Sequence, residues 1–531
     1  MAFEFITSLQ TTTYSVDSFD QIFLTPTGEF QLDGDAFGLS SNTALSAEVY
    51  LNGDIYADGV AFFVTENDAD FTFVINASAS IFTTADTFLF VGSADNFSQL
   101  SITNNGSITS SEVVFFARNY DVITIHNSGT VSAVSDETEE AIFDTLSPRD
   151  ATWQISNSGL IQSTLSQKIM DLGGSITFDN TGTIIARVGD AIELIEGSMR
   201  LTNSGTIIAD IMSGGDTEVI NQGAFTGDFD SSGNNNFINS GTFIGWIEFE
   251  NFDDTITNSG TIIGRVDLGG GDNVVSNSGL IDTGEQVIQG GGNADTILNT
   301  GEILGDIDLS GGFDEYRGAG DGFVAGVVFG GTGNDTIFGA NGADEFDGGE
   351  DSDLLNGRGG NDTLFAGSGS DTLLGGAGED ALFGQSGANV LNGQGGNDTI
   401  NGGSGDDRLL GGNGDDTLKA GEGADILRGD AGADVFEFSS VAETGTGSTR
   451  DRILGWEDGA DLIDLSGFGA LTFSAMGPIG SGTASVWFQS VSGGAQTMLR
   501  IDTDGDGIFD GQVLLVRADP ALFDQADLIL G

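Results

Sequence analysis

Residues 330–365 read GGTGNDTIF-GANGADEFD-GGEDSDLLN-GRGGNDTLF, and the same nine-residue frame continues without a slip to Glu437. That makes twelve nonapeptides. Position four is Gly in eleven, with Asp351 the exception, and position six is Asp in eleven, with Asn389 the exception. Position eight is apolar in all twelve, from Ile337 to Phe436. One apolar residue between two polar neighbours is the out-in-out alternation of a very short strand. Glycine at positions one, two and four permits positive φ, so successive carbonyls can turn toward a common point, and the aspartate adds a carboxylate there. A solvated, glycine-rich acidic linker would have no reason to keep position eight apolar twelve times.

The pattern G-G-x-G-x-D-x-U-x is identified as the calcium-binding nonapeptide of RTX proteins. Calcium is a hard cation that takes six to eight oxygen ligands, so the donor set suits it. The resemblance implies two nonapeptides per 18-residue coil of a parallel β-roll, with calcium between stacked aspartates. One row is then Asp335, Asp353, Asp371, Asn389, Asp407 and Asp425; the other is Asp344, Asp362, Asp380, Asp398, Asp416 and Asp434. The ten stacked pairs imply about ten Ca2+ sites. Backbone carbonyls would complete them, from Gly330, Gly331, Gly333, Gly348, Gly349, Gly375, Gly376, Gly378, Gly402, Gly403, Gly405, Gly411, Gly412 and Gly414. The two pairs containing Asn389 should bind more weakly, because the amide keeps a carbonyl oxygen and loses the charge. Residues 330–437 hold 21 acidic and 4 basic side chains, and stacked carboxylates repel one another without a cation. One inward side chain per nine residues cannot offset the ordering entropy of 30 glycines. The expectation is a module unfolded without calcium and folded with it.

A second repeat, φ-x-N-x-G-x-φ with φ apolar, occupies residues 101–329. Its asparagines are Asn104, Asn127, Asn157, Asn180, Asn203, Asn221, Asn239, Asn258, Asn277 and Asn299. The residue two before each Asn and the residue four after it are apolar in all ten. This is one coil of a parallel β-helix per repeat, with Asn and Gly forming the bend between short strands. Stacked coils would superpose the Asn side chains, which can hydrogen-bond as a ladder. The NSGTI-type ladder resembles the β-helical stalks of haemagglutinin-like and autotransporter adhesins. Residues 1–100 keep the composition and lose the motif, and are read as an N-terminal cap with degenerate coils. Between the two systems the motifs blend. GGGNADTIL at residues 290–298 lacks only the position-four Gly, which makes Asp295 a candidate for early calcium binding and Asp272 a weaker one.

Residues 438–531 resemble the C-terminal module of serralysin-type RTX proteins, through DVFEFSS (434–440), DRILGWEDGADLIDLSGF (451–468), LRIDTDGDGIFDGQVLLV (499–516) and the ending DLILG (527–531). The resemblance implies a small β-rich cap and an uncleaved C-terminal signal for a type I secretion apparatus. It agrees with an N-terminus showing neither the basic n-region nor the apolar h-region of a cleaved signal peptide. Asp502, Asp504, Asp506 and Gly507 imitate the start of an EF-hand, but Val513 stands where the bidentate Glu belongs, and a hairpin turn is expected.

The whole chain has 531 residues and a net charge of −66, so neither phosphate backbones nor anionic lipid would attract it. No run of about 18 apolar residues suggests membrane insertion. Cysteine is absent and His126 is the only histidine, which excludes thiolate sites and HExxH metalloprotease chemistry. Phe accounts for 38 of the aromatics and suits a dry interior. Mannuronan epimerases resemble this architecture in joining a β-helix to RTX repeats. Acid–base chemistry on a uronic acid would draw here on Arg118, Tyr120, Asp121 and His126, whose spacing departs from the motif of those enzymes.

The sequence thus describes an all-β chain. A parallel β-helix is followed by a calcium-binding parallel β-roll (330–437) and a C-terminal cap. The expected role is a calcium-dependent, exported, non-enzymatic scaffold or adhesin at the cell surface or in an extracellular matrix or S-layer, with glycans or further copies as partners. The alternative is a lyase or epimerase acting on uronic-acid polymers.

Overall fold

The protein is described from a computed structural model. It covers residues 99–110, 114–118, 121–134, 141–144, 151–163, 168–474, 477, 482–491, 496–516 and 523–530, together with short segments between residues 3 and 92. Contacts divide the chain into two units: 1–270 with 279–284, and 271–278 with 285–531.

The first unit is a parallel β-helix. Strands Gln99–Asn104, Val122–Asn127, Thr152–Asn157 and Lys168–Asn180 pair in parallel, each coil lying on the one before. The apolar residue two before each Asn forms one interior column, Ile102, Ile125, Ile155, Phe178, Leu201, Val219, Phe237 and Ile256, in continuous register. The residue four after forms a second, from Ile108 through Val131, Ile161, Ile184, Ile207, Phe225 and Phe243 to Ile262. All are buried. At about 25 cal/mol per Å² of apolar surface removed from water, these columns are the main driving force for stacking. Phenylalanine extends the interior: Phe88, Phe115 and Phe143 stack face to face with centroids 5.2 and 5.1 Å apart. Parallel pairing also links Phe3–Ile6, Gln21–Leu24, Ala47–Leu51 and Phe71–Ile75 to the coil at Gln99–Asn104.

The motif glycine is required by the closeness of the coils. A Cβ on Gly129, Gly182 or Gly241 would collide with the carbonyl oxygen of the motif glycine one coil earlier. The asparagine two residues before it faces inward. In the first unit Asn104, Asn127, Asn157, Asn180, Asn203, Asn221 and Asn239 each donate Nδ2 to Oδ1 of the next Asn at 2.7–2.8 Å, ending at Asn258. The predicted ladder is thus formed.

In the second unit, Asn277 donates to Asn299 at 2.9 Å. Parallel pairing then passes directly from Thr296–Asn299 to Glu315–Gly318, to Thr336–Phe338 and to Leu354–Gly359. From Thr336 onward the register is 18 residues per coil, two nonapeptides to a turn, as in a β-roll. All twelve position-eight residues, Ile337 to Phe436, have no exposed surface. Parallel pairing does not stop at Glu437: Leu427 stacks on Ile453 and Ile453 on Leu515, while Phe436 stacks on Ile463 and Ile463 on Leu528. Strands Ser485–Val491, Gln496–Asp502 and Gly511–Val516 form an antiparallel meander. Asp502 accepts from Gly505 and Gly507 N–H at 2.7 and 2.9 Å and folds the expected hairpin turn, while Val513 pairs with Leu499 inside the strand.

Candidate metal centre

The position-six aspartates form two ladders. In the first, the backbone N–H of Asp335 donates to Oδ1 of Asp353, Asp353 to Asp371, Asp371 to Asn389, Asn389 to Asp407 and Asp407 to Asp425, all at 2.8–2.9 Å. In the second, Asp344, Asp362, Asp380, Asp398 and Asp416 donate in turn to the aspartate 18 residues later, at 2.8–3.0 Å, ending at Asp434. Each carboxylate thereby ties one coil to the previous one through Oδ1. All these side chains are buried.

The other carboxylate oxygen has a different environment. Oδ2 of Asp335, Asp353, Asp362, Asp371, Asp380, Asp398, Asp407, Asp416, Asp425 and Asp434 is buried without a hydrogen-bond partner. In eight of the ten it lies beside the position-one glycine of its own repeat; Asp371 and Asp425 have Ala366 and Ala420 there. A Cβ on Gly330 would stand 2.5 Å from Asp335 Oδ2 and 2.6 Å from the carbonyl oxygen of Gly348, one coil on. At Gly348 the corresponding distances are 2.5 Å to Asp353 Oδ2 and 2.7 Å to Ala366 O. A Cβ at Gly330 or Gly348 would crowd this space, and the groups bordering it are acceptors. Acceptor facing acceptor in a buried place is unfavourable unless a cation or a proton lies between them. Carboxylate and carbonyl oxygens are the donor set of a hard cation, so these residues fit calcium.

Burial is the first reason these carboxyl groups are hard to ionise, and neighbouring carboxylates are the second. Asp353, Asp362 and Asp416 are pushed up to about 7, and Asp398 to about 6. In Asp407, likewise pushed to about 6, burial is again the main cause.

Two members depart from the rule. At Asn389 the amide replaces the second oxygen, and Nδ2 donates to Gly384 O at 2.8 Å. The asparagine fills from within what its neighbours leave to a cation. At Asp344 the second row is closed by the protein: Oδ2 accepts from Ala340 N–H at 2.9 Å, and Arg358 Nη1 donates to the carbonyls of Gly318 and Gly339 at 2.8 and 3.0 Å. Ala340 stands at position two, where other repeats take positive φ. That includes the non-glycine Arg358, Gln385, Gln394 and Asp430, at a cost of roughly 1–2 kcal/mol each.

The ladders outrun the nonapeptides. The first begins at Asn273, whose N–H donates to Asp295 Oδ1 at 3.0 Å; Asp295 then donates to Asp314 and Asp314 to Asp335 at 2.7 and 2.8 Å. At the far end Asp425 donates to Asp451 at 2.9 Å, and burial together with Asp425 holds the Asp451 carboxyl strongly toward its neutral form. The second ladder ends at Asp461, whose Oδ2 accepts from Glu457 N–H. Asp314, Asp451 and Asp461 do not stand out in the sequence because the position-one glycine is replaced by Leu309, Thr446 and Trp456 and only one glycine of the frame survives in each, Gly312, Gly447 and Gly459. The surviving signal is the triplet D-x-φ, present as Asp314-Glu315-Tyr316, Asp451-Arg452-Ile453 and Asp461-Leu462-Ile463. The first unit has a short parallel case, in which Asn235 N–H donates to Asp254 Oδ1 at 2.7 Å.

The residues considered for sugar chemistry do not assemble comparably. Tyr120 and the Arg118 side chain lie outside the described residues. Asp121 immediately precedes the strand that carries His126, five residues away. His126 is exposed and shares a hydrogen bond with Ser156 Oγ, in a surface depression of about 150 Å³ that also includes Asp179. The outward column runs His126, Ser156, Asp179 on successive coils. With coils about 4.8 Å apart, His126 and Asp179 are separated by about 10 Å. Serine, not histidine, is in the middle, so this is not a Ser-His-Asp relay, which needs the imidazole between the other two.

The family described as RTX calcium-binding nonapeptide repeat (four copies) matches residues 325–355, 347–382, 356–391, 374–409, 383–418 and 410–439. The chain therefore carries RTX calcium-binding repeats. Among solved structures, the R2 subunit of AlgE6, a mannuronan C5-epimerase of Azotobacter vinelandii, is 27% identical, with 29% of this chain and 90% of that one covered and a TM-score of 0.19. The R3 subunit of the same enzyme is 24% identical over 36% and 80%, with a TM-score of 0.16. No curated protein sequence matches the chain.

Proposed function

We propose that the protein is an exported, calcium-dependent, non-enzymatic scaffold or adhesin that acquires its folded second unit on meeting extracellular calcium. The observation that carries this reading is the pair of carboxylate ladders, whose Oδ2 atoms, Asp344 apart, are buried with no hydrogen-bond donor. Calcium is held by Asp335, Asp353, Asp362, Asp371, Asp380, Asp398, Asp407, Asp416, Asp425 and Asp434 with the carbonyls of positions one, two and four. Asp344 belongs by position, and Asn389 contributes one oxygen. Extracellular calcium modules bind at about 10⁻⁴–10⁻³ M, a range that leaves such a site unloaded at cytosolic calcium levels. The C-terminal resemblance supports type I secretion. A repetitive β-surface supports adhesion or self-assembly: Ile208, Ile244 and Ile263 lie exposed along one outward column of the first unit.

The test is fractionation of producing cells with and without a calcium chelator. Surface-bound protein released by chelation supports the scaffold reading; protein free in the medium regardless of calcium refutes it. The second reading, a lyase or epimerase on uronic-acid polymers, draws on the His126–Ser156–Asp179 depression alone. It requires turnover of such a polymer that His126→Ala abolishes.

A further inference from the structure

We infer that the first carboxylate ladder binds divalent cation two coils before the nonapeptides begin, at Asp295 and at Asp314. The inference rests on the calcium reading of the repeats and extends it to coils that the repeat family does not cover, since its match starts at residue 325.

Both side chains are almost wholly buried, 1% and 2% exposed, and both keep an Oδ2 without a hydrogen-bond partner. Both take up the ladder's backbone bond through Oδ1, at 3.0 and 2.7 Å. The space beside Asp295 has the dimensions of a nonapeptide site. A Cβ on Gly290, five residues earlier, would stand 2.7 Å from Asp295 Oδ2 and 2.6 Å from Leu309 O on the next coil. The matching values at Gly330 are 2.5 Å to Asp335 Oδ2 and 2.6 Å to Gly348 O. Glycine thus recurs at the position where the cation would be crowded, in a stretch that lacks the position-four Gly of the repeat. Leu309 stands five residues before Asp314, as Ala366 stands before Asp371, and the case at Asp314 rests on its buried, unpartnered Oδ2.

The ends of the two rows sharpen the case. The second row is closed at its start by Ala340 N–H and Arg358, and at its finish by Glu457 N–H. The first row has no such closure at Asp335, and continues through Asp314 and Asp295 to the backbone N–H of Asn273. A row that meant to stop at the first nonapeptide would need a donor for Asp335, and none is supplied. The donors are carboxylate and flexible backbone carbonyls, which suit calcium better than the tighter octahedral demand of magnesium.

The experiment is a calcium count per full-length chain by equilibrium dialysis at saturating calcium, for the wild type, Asp295→Asn/Asp314→Asn and Asp362→Asn/Asp380→Asn. Asn389 shows that the ladder accepts asparagine, so both variants should keep the coil. The inference expects each double variant to lose about two ions. An unchanged count in Asp295→Asn/Asp314→Asn beside a loss in the other overturns the inference and leaves the nonapeptide sites standing. A wild type that binds no calcium overturns both. Wild-type crystals grown in calcium give a check independent of any variant: a metal peak between Asp295 Oδ2 and Leu309 O is expected, and a water or nothing there contradicts the inference.

Discussion

The two units solve one problem with different side chains. Each must join coil to coil through a buried polar column. The first uses asparagine, the second mostly aspartate. An amide carries a donor and an acceptor, so each Asn gives Nδ2 to the next coil and receives from the previous one, as at Asn180, Asn203 and Asn221. The stack closes on itself. A carboxylate has acceptors only. Oδ1 takes a backbone N–H, and Oδ2 is left against carbonyl oxygens. Asn389 is the control inside the second unit: one change of atom restores a donor, and the donor finds Gly384 O. One chain therefore contains a column that is complete as synthesised and a column that awaits a cation.

The largest effect expected from this contrast follows calcium removal. Chelation should abolish the cooperative thermal transition of the second unit and leave that of the first, which calorimetry of the full chain resolves. A single transition unaffected by chelator would erase the distinction.

Acid should partly replace calcium. The carboxyl groups of Asp353, Asp398 and Asp416 sit at about 6–7 in the folded state against about 4 when unfolded, and burial raises the others too, so the folded form takes up protons. Stability of the calcium-free second unit is then fullest below about pH 4 and is lost as pH rises through about 7. Calcium-free circular dichroism at pH 5 should show more β-structure than at pH 8; the reverse order would contradict the assignment. Calcium affinity should fall over the same interval as protons compete.

Converting one column toward the other gives the next effect. Asp416→Asn should stabilise the calcium-free fold by on the order of 2 kcal/mol at pH 8 while removing about one ion, read by denaturant titration with and without calcium. Asn203→Ala in the first unit leaves Asn180 and Asn221 short of a partner and should cost about 1–3 kcal/mol, equally with and without calcium. A calcium-dependent cost would blur the comparison. The smallest effect is assigned to His126→Ala, whose exposed bond to Ser156 should be worth less than about 1 kcal/mol in a melting experiment.

The regular parts of both columns are legible in the sequence because the repeats hold chemistry at fixed spacing. The Asn ladder follows from N-x-G between two apolar positions, and the 18-residue register from the nonapeptide frame. The ends were harder to read. Asp314, Asp451 and Asp461 keep the inward φ of their coil but only one glycine of the frame each, too little pattern to mark a nonapeptide. The closure at Asp344 was invisible for another reason: Arg358 lies 14 residues away and reaches it only once the coils stack.

The most direct test is hydrogen exchange on the full chain at neutral pH, with calcium and with chelator. The amides of Asp353, Asp362, Asp380 and Asp398 all donate to ladder carboxylates, and those at residues 199–221 belong to the asparagine coils. The account predicts strong protection of the first set only with calcium, and of the second in both conditions. Strong protection of the aspartate amides in chelator would show that the carboxylate column is complete without a cation.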